Sequence, residues 1–182
     1  MDNCQKRPQR LFEERELSVD ECAGYLQKAI NLLKSQTAAS DGSEGSLKVI
    51  ITVSPIRYAK YGYHGSQLSK ATLLLAADKL VKENPGVVSY FPAYEIMNDE
   101  LRDYRFYKED MLHPSEQAVE YIWERFRATY FGKAAEQFLE DWRPIREALG
   151  HKPFHPESEE HQKFIARTEE KKRQFEEKYH LL

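Results

Sequence analysis

Three observations predict an α/β fold built on parallel strands. The run Val49–Val53 in "LKVIITVSP" is unbroken, apolar and rich in β-branched residues, as in a parallel-sheet strand covered on both faces. A second short strand, Val87 to Phe91, follows in "VVSYFPAY". Between them "KATLLLAADKLVKEN" spells a helix closed by "NPG", and a strand–helix–strand order makes the two strands parallel through a right-handed crossover.

The remaining elements follow in order. Residues 1–17 are rich in charge and read as a loop. At "SVDE", Ser18 and Glu21 have capping-box spacing, and Val19, Cys22, Ala23, Leu26, Ile30 and Leu33 lie on one helical stripe. That helix is expected to run to about Gln36 and end in the connector "TAASDGSEGS". Pro55 ends the first strand, and "IRYAKYGYHGSQLS" reads as a glycine-punctuated loop. After the second strand, "YEIMNDELRD" predicts a short helix. "SEQAVEYIWERFRATYF" predicts a longer one, with Ala118, Ile122, Phe126 and Tyr130 in register. Helices are also expected over 133–149 and 158–179, on either side of the proline-bearing "HKPFHP". The tail "EEKKRQFEEKYHLL" alternates charge signs and reads as a solvated helix.

Composition excludes several function classes. The 182 residues are one domain's worth, with 41% hydrophobic and 31% charged residues. A net charge of −3, from 27 basic and 30 acidic side chains, gives no electrostatic case for nucleic acid or an anionic membrane surface. Cys4 and Cys22 form no CxxC and argue for neither a disulfide framework nor a structural zinc. The polar start "MDNCQKRPQR" is not a signal peptide, and the run "ATLLLAA" is too short to span a bilayer. A soluble chain, cytoplasmic by default, is expected.

Two strands buried on both faces are too few for a doubly wound sheet. Either another chain supplies their neighbours, or the first half of the domain lies outside these residues.

Four long blocks carry a resemblance: "NCQKRPQRLFEERELSVDE", "IITVSPIRYAKYGYHGSQLSKATLLLAADKL", "YFPAYEIMNDELRDYRFYKEDMLHPSEQAVEYIWERF" and "HKPFHPESEEHQKF". They resemble consecutive blocks of the GSCFA domain family, which looks related to the GDSL-like (SGNH) hydrolases, and the resemblance runs over nearly the whole chain from about Asn3 onward. The resemblance implies a three-layer α/β/α sandwich around a parallel sheet. Residues 18–131 would be its βα core segments, and 132–182 a C-terminal helical extension. The block G-S-C-F-A, whose serine is the family's presumed nucleophile, has no counterpart here. Ser43, Ser46 and Ser66 lie in glycine-bearing turns, but none follows a strand and opens a helix as required; Ser66 comes closest. Gln5 stands where the family usually has a histidine. The chain thus looks like the C-terminal portion of such a domain, with the missing N-terminal half implied as its partner.

The chemistry centres on "DMLHP". Pro114 biases His113 away from helical geometry, so the imidazole sits on the loop before a helix. Loops at the carboxyl edge of a parallel sheet are where ligands bind in open α/β folds. Asp110, three residues back, can reach Nδ1–H, fix the tautomer and leave Nε2 to take a serine's proton. By resemblance to the D-x-x-H-P element of GDSL-like enzymes, Asp110 is the orienter and His113 the base. The competing reading is that a chance Asp-x-x-His merely caps or packs.

Other candidates have equally plain alternatives. Ser54 and Arg57, after the first strand, line a substrate pocket and bind a carbonyl or an acid. Alternatively, Ser54 ends the strand through a side-chain-to-backbone bond, and Arg57 pairs with Glu95 or Asp99. Asn3 is a substrate or oxyanion contact by analogy with the Asn donor of GDSL-like sites. Tyr90, Phe91, Tyr94, Tyr104, Phe106 and Tyr107, interleaved with Arg102 and Arg105, stack on a sugar or else pack a loop onto the sheet. His151 and His155 have H-x₃-H spacing with His161 beyond, but Pro153 intervenes and no cysteine joins them, so no metal is expected. No cofactor is expected either.

The function implied is that of a GSCFA-family hydrolase fragment. Its parent would cleave a small-molecule or glycan ester with an upstream serine, His113 and Asp110. The alternative is a non-catalytic binding or scaffold module that keeps the fold without a nucleophile.

Overall fold

The computed structural model of the protein describes residues 8–41, 47–151 and 157–181. Asn3, Ser43, Ser46 and His155 lie outside the described residues. The architecture is mixed α/β and mostly helical, with a two-stranded parallel sheet. The chain divides into two compact units, the first ending at Glu124 and the second running from Arg125.

In the first unit, helix α1 (Val19–Asp41) opens on the capping box. Glu21 N–H donates to Ser18 Oγ at 3.2 Å, and Ser18 N–H donates back to Glu21 Oε2 at 2.9 Å. The helix continues past the predicted stop at Gln36 because "TAAS" contains no breaker and alanine is the strongest helix former. Strand β1 (Val49–Thr52) pairs in parallel with β2 (Val88–Phe91), Val49 opposite Val88 and Thr52 opposite Phe91. Both strands lie within one residue of their predicted limits.

Helix α2 (Gly62–Glu83) joins them and starts well before the predicted Lys70. Its glycines suggest a loop, but Gly62, at φ +73°, supplies the left-handed turn from which the helix sets out. Ser66 and Lys70 then fall on the same buried face as Ala77 and Leu80. Tertiary burial overrides the loop-like composition.

Ala23 and Ile30 of α1, Ala76 and Leu80 of α2 and Val88 of β2 form the first core, with Val49 and Ile51 packed against it. Two-sided cover of β1 is not what the described residues show: Ile50, on the opposite face, is 39% exposed. Leu26 and Leu33, on the predicted α1 stripe, are exposed too. Asn84 ties the layers together. Its Nδ2 donates to Leu80 O at 3.0 Å and to Gln27 Oε1 at 2.6 Å, and its backbone carbonyl accepts the N–H of Val88 at 3.0 Å. Through side chain and backbone together, this one buried residue caps α2, grips α1 and starts β2.

Beyond β2 comes a short turn α3 (Ala93–Glu95), which widens into a π-helical turn over Ile96–Leu101. Arg102, at φ +45°, ends it by donating its N–H to Met97 O at 3.2 Å. A 3₁₀ turn, Tyr104–Phe106, is capped by Asp103 and leads toward helix α4 (Glu116–Tyr130). Met97, Leu101, Tyr107 and Ala118 form a second core under Phe106, Tyr121 and Ile122.

The second unit contains helices α5 (Lys133–Gly150) and α6 (Glu159–Lys178). Phe175 is buried against Phe138 and Trp142, with ring centroids 4.9 and 5.1 Å away. The charged tail is therefore not wholly a solvated face; Phe175 is its core residue. His151 and His161 both lie against the Phe164 ring. Among the described residues, no helix is long and apolar enough to cross a membrane.

Leu80 and Leu75 share a helix but not an environment: Leu80 is fully buried, whereas Leu75 is 58% exposed. Leu80→Ala should lower stability to chemical denaturation by about 2–5 kcal/mol, and Leu75→Ala by less than about 0.5 kcal/mol. Equal losses would contradict this core.

Candidate active site

The candidate site is assembled from two loops at the carboxyl end of the parallel strands, one following β1 and the other preceding α4. The second loop is closed by a short antiparallel bridge between Tyr107 and Pro114. Lys108 N–H donates to His113 O at 2.8 Å and Ser115 N–H to Phe106 O at 2.7 Å, so the chain doubles back on itself. Met111, at the tip, has φ +59°, a left-handed conformation that costs a non-glycine residue about 1 kcal/mol. Ser115 then caps α4, its Oγ accepting the N–H of Ala118 at 3.3 Å.

Asp110 organises this loop. Its Oδ1 accepts the backbone N–H groups of Leu112 at 2.8 Å and His113 at 3.0 Å. Its Oδ2 lies 2.5 Å from His113 Nδ1. The two backbone bonds and the imidazole contact hold the carboxyl down at about 2, well below the usual carboxylate range. An ionised Asp110 accepts a hydrogen bond from Nδ1–H and so keeps the proton on Nδ1, which leaves the Nε2 lone pair as the imidazole's free acceptor. The His113 side chain is 54% exposed, and no group among the described residues bonds its Nε2. The arrangement is an oriented, solvent-accessible base.

The loop after β1 meets this one through its backbone. Arg57 N–H donates to Leu112 O at 3.0 Å, placing the two loops edge to edge. The Arg57 guanidinium does not pair with Glu95 or Asp99. It lies over the Tyr107 ring at 4.0 Å, with Tyr104 at 5.5 Å, while Glu95 accepts the Tyr90 hydroxyl instead. Burial first, and then the adjoining Glu95 carboxylate, push the Tyr90 phenol up.

Ser54 takes the strand-ending role: its Oγ accepts Ile56 N–H at 3.3 Å. Ser66 is buried in α2, with its Oγ accepting Tyr58 N–H at 3.1 Å. Neither hydroxyl is bonded to His113. Within the aromatic run, Phe91 and Tyr107 are buried, whereas Tyr104 stands exposed.

Sequence reasoning passes over Lys70. Its Nζ donates to Ser54 O at 2.5 Å and sits 5.7 Å over the Tyr94 ring. Burial pushes its pKa down. Ser66 and Lys70, one helical turn apart, thus pin both ends of the loop that carries Arg57. The signal is the register of α2, where positions 66, 70, 77 and 80 share a face; it becomes visible once the helix starts at Gly62.

Residues 1–126 match the model of the GSCFA family, and residues 142–182 match that of the GSCFA domain protein, C-terminal domain. The chain belongs to the GSCFA family. No curated protein and no solved structure matches it.

Asp110 should titrate near 2 in the folded chain, against 3.8 for a free aspartate, when its carboxyl carbon is followed by NMR. A depressed folded-state value means that its contribution to stability is complete above the unfolded value and is lost as pH falls through the folded one. A carboxyl that titrates near 4 would contradict the three bonds assigned to it.

Proposed function

We propose that this GSCFA-family chain carries the base and its orienter for hydrolysis of an acyl ester, in a GDSL-like (SGNH) domain of three α/β/α layers. In that domain, residues 18–131 are the βα core segments and 132–182 the helical extension. The observation that supports this reading best is the 2.5 Å contact from Asp110 Oδ2 to His113 Nδ1, on a loop beside the carboxyl ends of two parallel strands. The nucleophile is a serine outside these residues, on the G-S-C-F-A block that has no counterpart in this sequence.

In the reaction, His113 Nε2 removes the serine hydroxyl proton as Oγ attacks the ester carbonyl carbon. The proton then passes from Nε2 to the departing alkoxide, leaving an acyl-serine. Water, deprotonated by the same nitrogen, then attacks the acyl carbon; the carbon–Oγ bond breaks, Oγ takes the proton from Nε2, and the acid is released. Asp110 remains ionised throughout, holding the ring orientation and stabilising each transient imidazolium. Ser54 and Arg57 flank the substrate, and Asn3 is a further contact. The substrate class is a small-molecule or glycan ester, and the cycle uses no cofactor.

A parent protein joining the serine block to these residues should hydrolyse a small activated acyl ester. His113→Ala should lower its kcat/KM by at least about 1,000-fold, and Asp110→Asn by about 10,000-fold. The 182-residue chain alone should show no such activity. Equal rates with and without His113 would remove the catalytic assignment, and a parent that hydrolyses no ester would leave a non-catalytic binding module.

A further inference from the structure

We infer that the pocket between Arg57 and Arg102 binds an oxyanion, so that the ester recognised at this site carries a phosphate, sulfate or carboxylate group. The inference rests on the hydrolase reading only for the word ester; the anion site itself stands on its own geometry.

The pocket has a volume of about 160 Å³ and is lined chiefly by Arg57, Asn98, Arg102, Tyr104 and Tyr107. Water occupies roughly 30 Å³ per molecule in the liquid, so the space suits one charged group and a few waters, not a whole substrate. Neither arginine has an ion pair among the described residues. There Arg57 makes one side-chain hydrogen bond, a long 3.5 Å contact to Met111 O, and Arg102 makes none.

Arg57 is also preorganised. The Tyr107 face supports its guanidinium at 4.0 Å while its backbone N–H is fixed to Leu112 O. A stacked guanidinium keeps its edge N–H groups as a rigid fork, which matches two oxygens of a phosphate or carboxylate. Arg102 is held by its own left-handed backbone at the end of the π turn.

The pocket also contains Asp103, whose charge opposes an anion. That carboxylate is already engaged by Arg105, through the backbone N–H at 2.9 Å and Nη2 at 3.2 Å. The Tyr104 and Tyr107 hydroxyls have no protein partner among the described residues and add two neutral donors. Two cations with no ion pair and two hydroxyls with no protein partner among the described residues, beside an acid already paired with Arg105, make a site for a negative group. It adjoins His113, because Arg57 is bonded to the very loop that Asp110 organises.

The test is an NMR titration of the full 182-residue chain with inorganic phosphate, and separately with acetate, at constant ionic strength set by chloride. Saturable shifts centred on Arg57, Asn98, Arg102 and Tyr107 are expected, and the tighter of the two anions identifies the group. Arg57→Gln and the exposed Arg102→Gln should each weaken binding by about tenfold, the scale of one lost charge-assisted bond. Lys82→Gln, on the far end of α2, should leave it within about twofold. No saturation by either anion, or undiminished binding in Arg102→Gln with its fold intact, would overturn the inference. Phosphate binding by a chain whose serine-bearing parent cleaves no ester would leave the anion site standing and remove the hydrolase reading. Ester cleavage without anion binding would do the reverse.

Discussion

The site depends on one backbone hydrogen bond, from Arg57 N–H to Leu112 O. Without it, the loop after β1 and the loop before α4 meet only through the Arg57 side chain, stacked on Tyr107 and in long contact with Met111 O. With it, the end of a parallel strand, a stacked arginine and an Asp–His pair become one edge. The bond is only as good as the loops that present it. Ser66 and Lys70 hold the first, by Tyr58 N–H and Ser54 O. The second is held by Asp110 and by the Tyr107–Pro114 bridge. A buried lysine with a carbonyl for partner is an expensive way to fix a loop, since desolvation disfavours its charge. Its place here is intelligible because the carbonyl it holds lies at the root of the candidate site.

The fold serves the same end. Leu80 and Asn84 sit within one turn of each other at the close of α2. The leucine fills the core against α1 and β2, while the asparagine turns the chain into β2 and bonds to α1. Together they set the register that brings the carboxyl ends of both strands level. The second unit is organised by Phe175 among the rings of Phe138, Trp142 and Tyr179 and by Asp141, which accepts from Lys178, Tyr179 and Gln137.

What could be read from sequence, and what could not, follows from the distance over which each feature is determined. The strands, their parallel pairing and the capping box at Ser18 depend on local pattern, and they lie where the pattern puts them. So does the Asp110–His113 contact, since three residues and a following proline leave the side chains few places to go. The start of α2 was hidden because "YGYHGSQ" has the composition of a loop, and only burial of Ser66 and Lys70 against distant residues makes it helical. The partners of Arg57 were hidden for a related reason. Charge counting points to Glu95 or Asp99, whereas the folded chain offers Tyr107 and spends Glu95 on Tyr90. The exposure of Ile50 was equally unreadable, because an unbroken apolar run states what a strand can bury, not what covers it.

The central claim is that Asp110 fixes His113 as an Nε2 base. The most direct measurement is a long-range proton–nitrogen correlation spectrum of the His113 ring with the imidazole neutral. The account predicts a single tautomer protonated at Nδ1, lost on Asp110→Asn. A ring protonated at Nε2, or a mixture unaffected by that substitution, would contradict it.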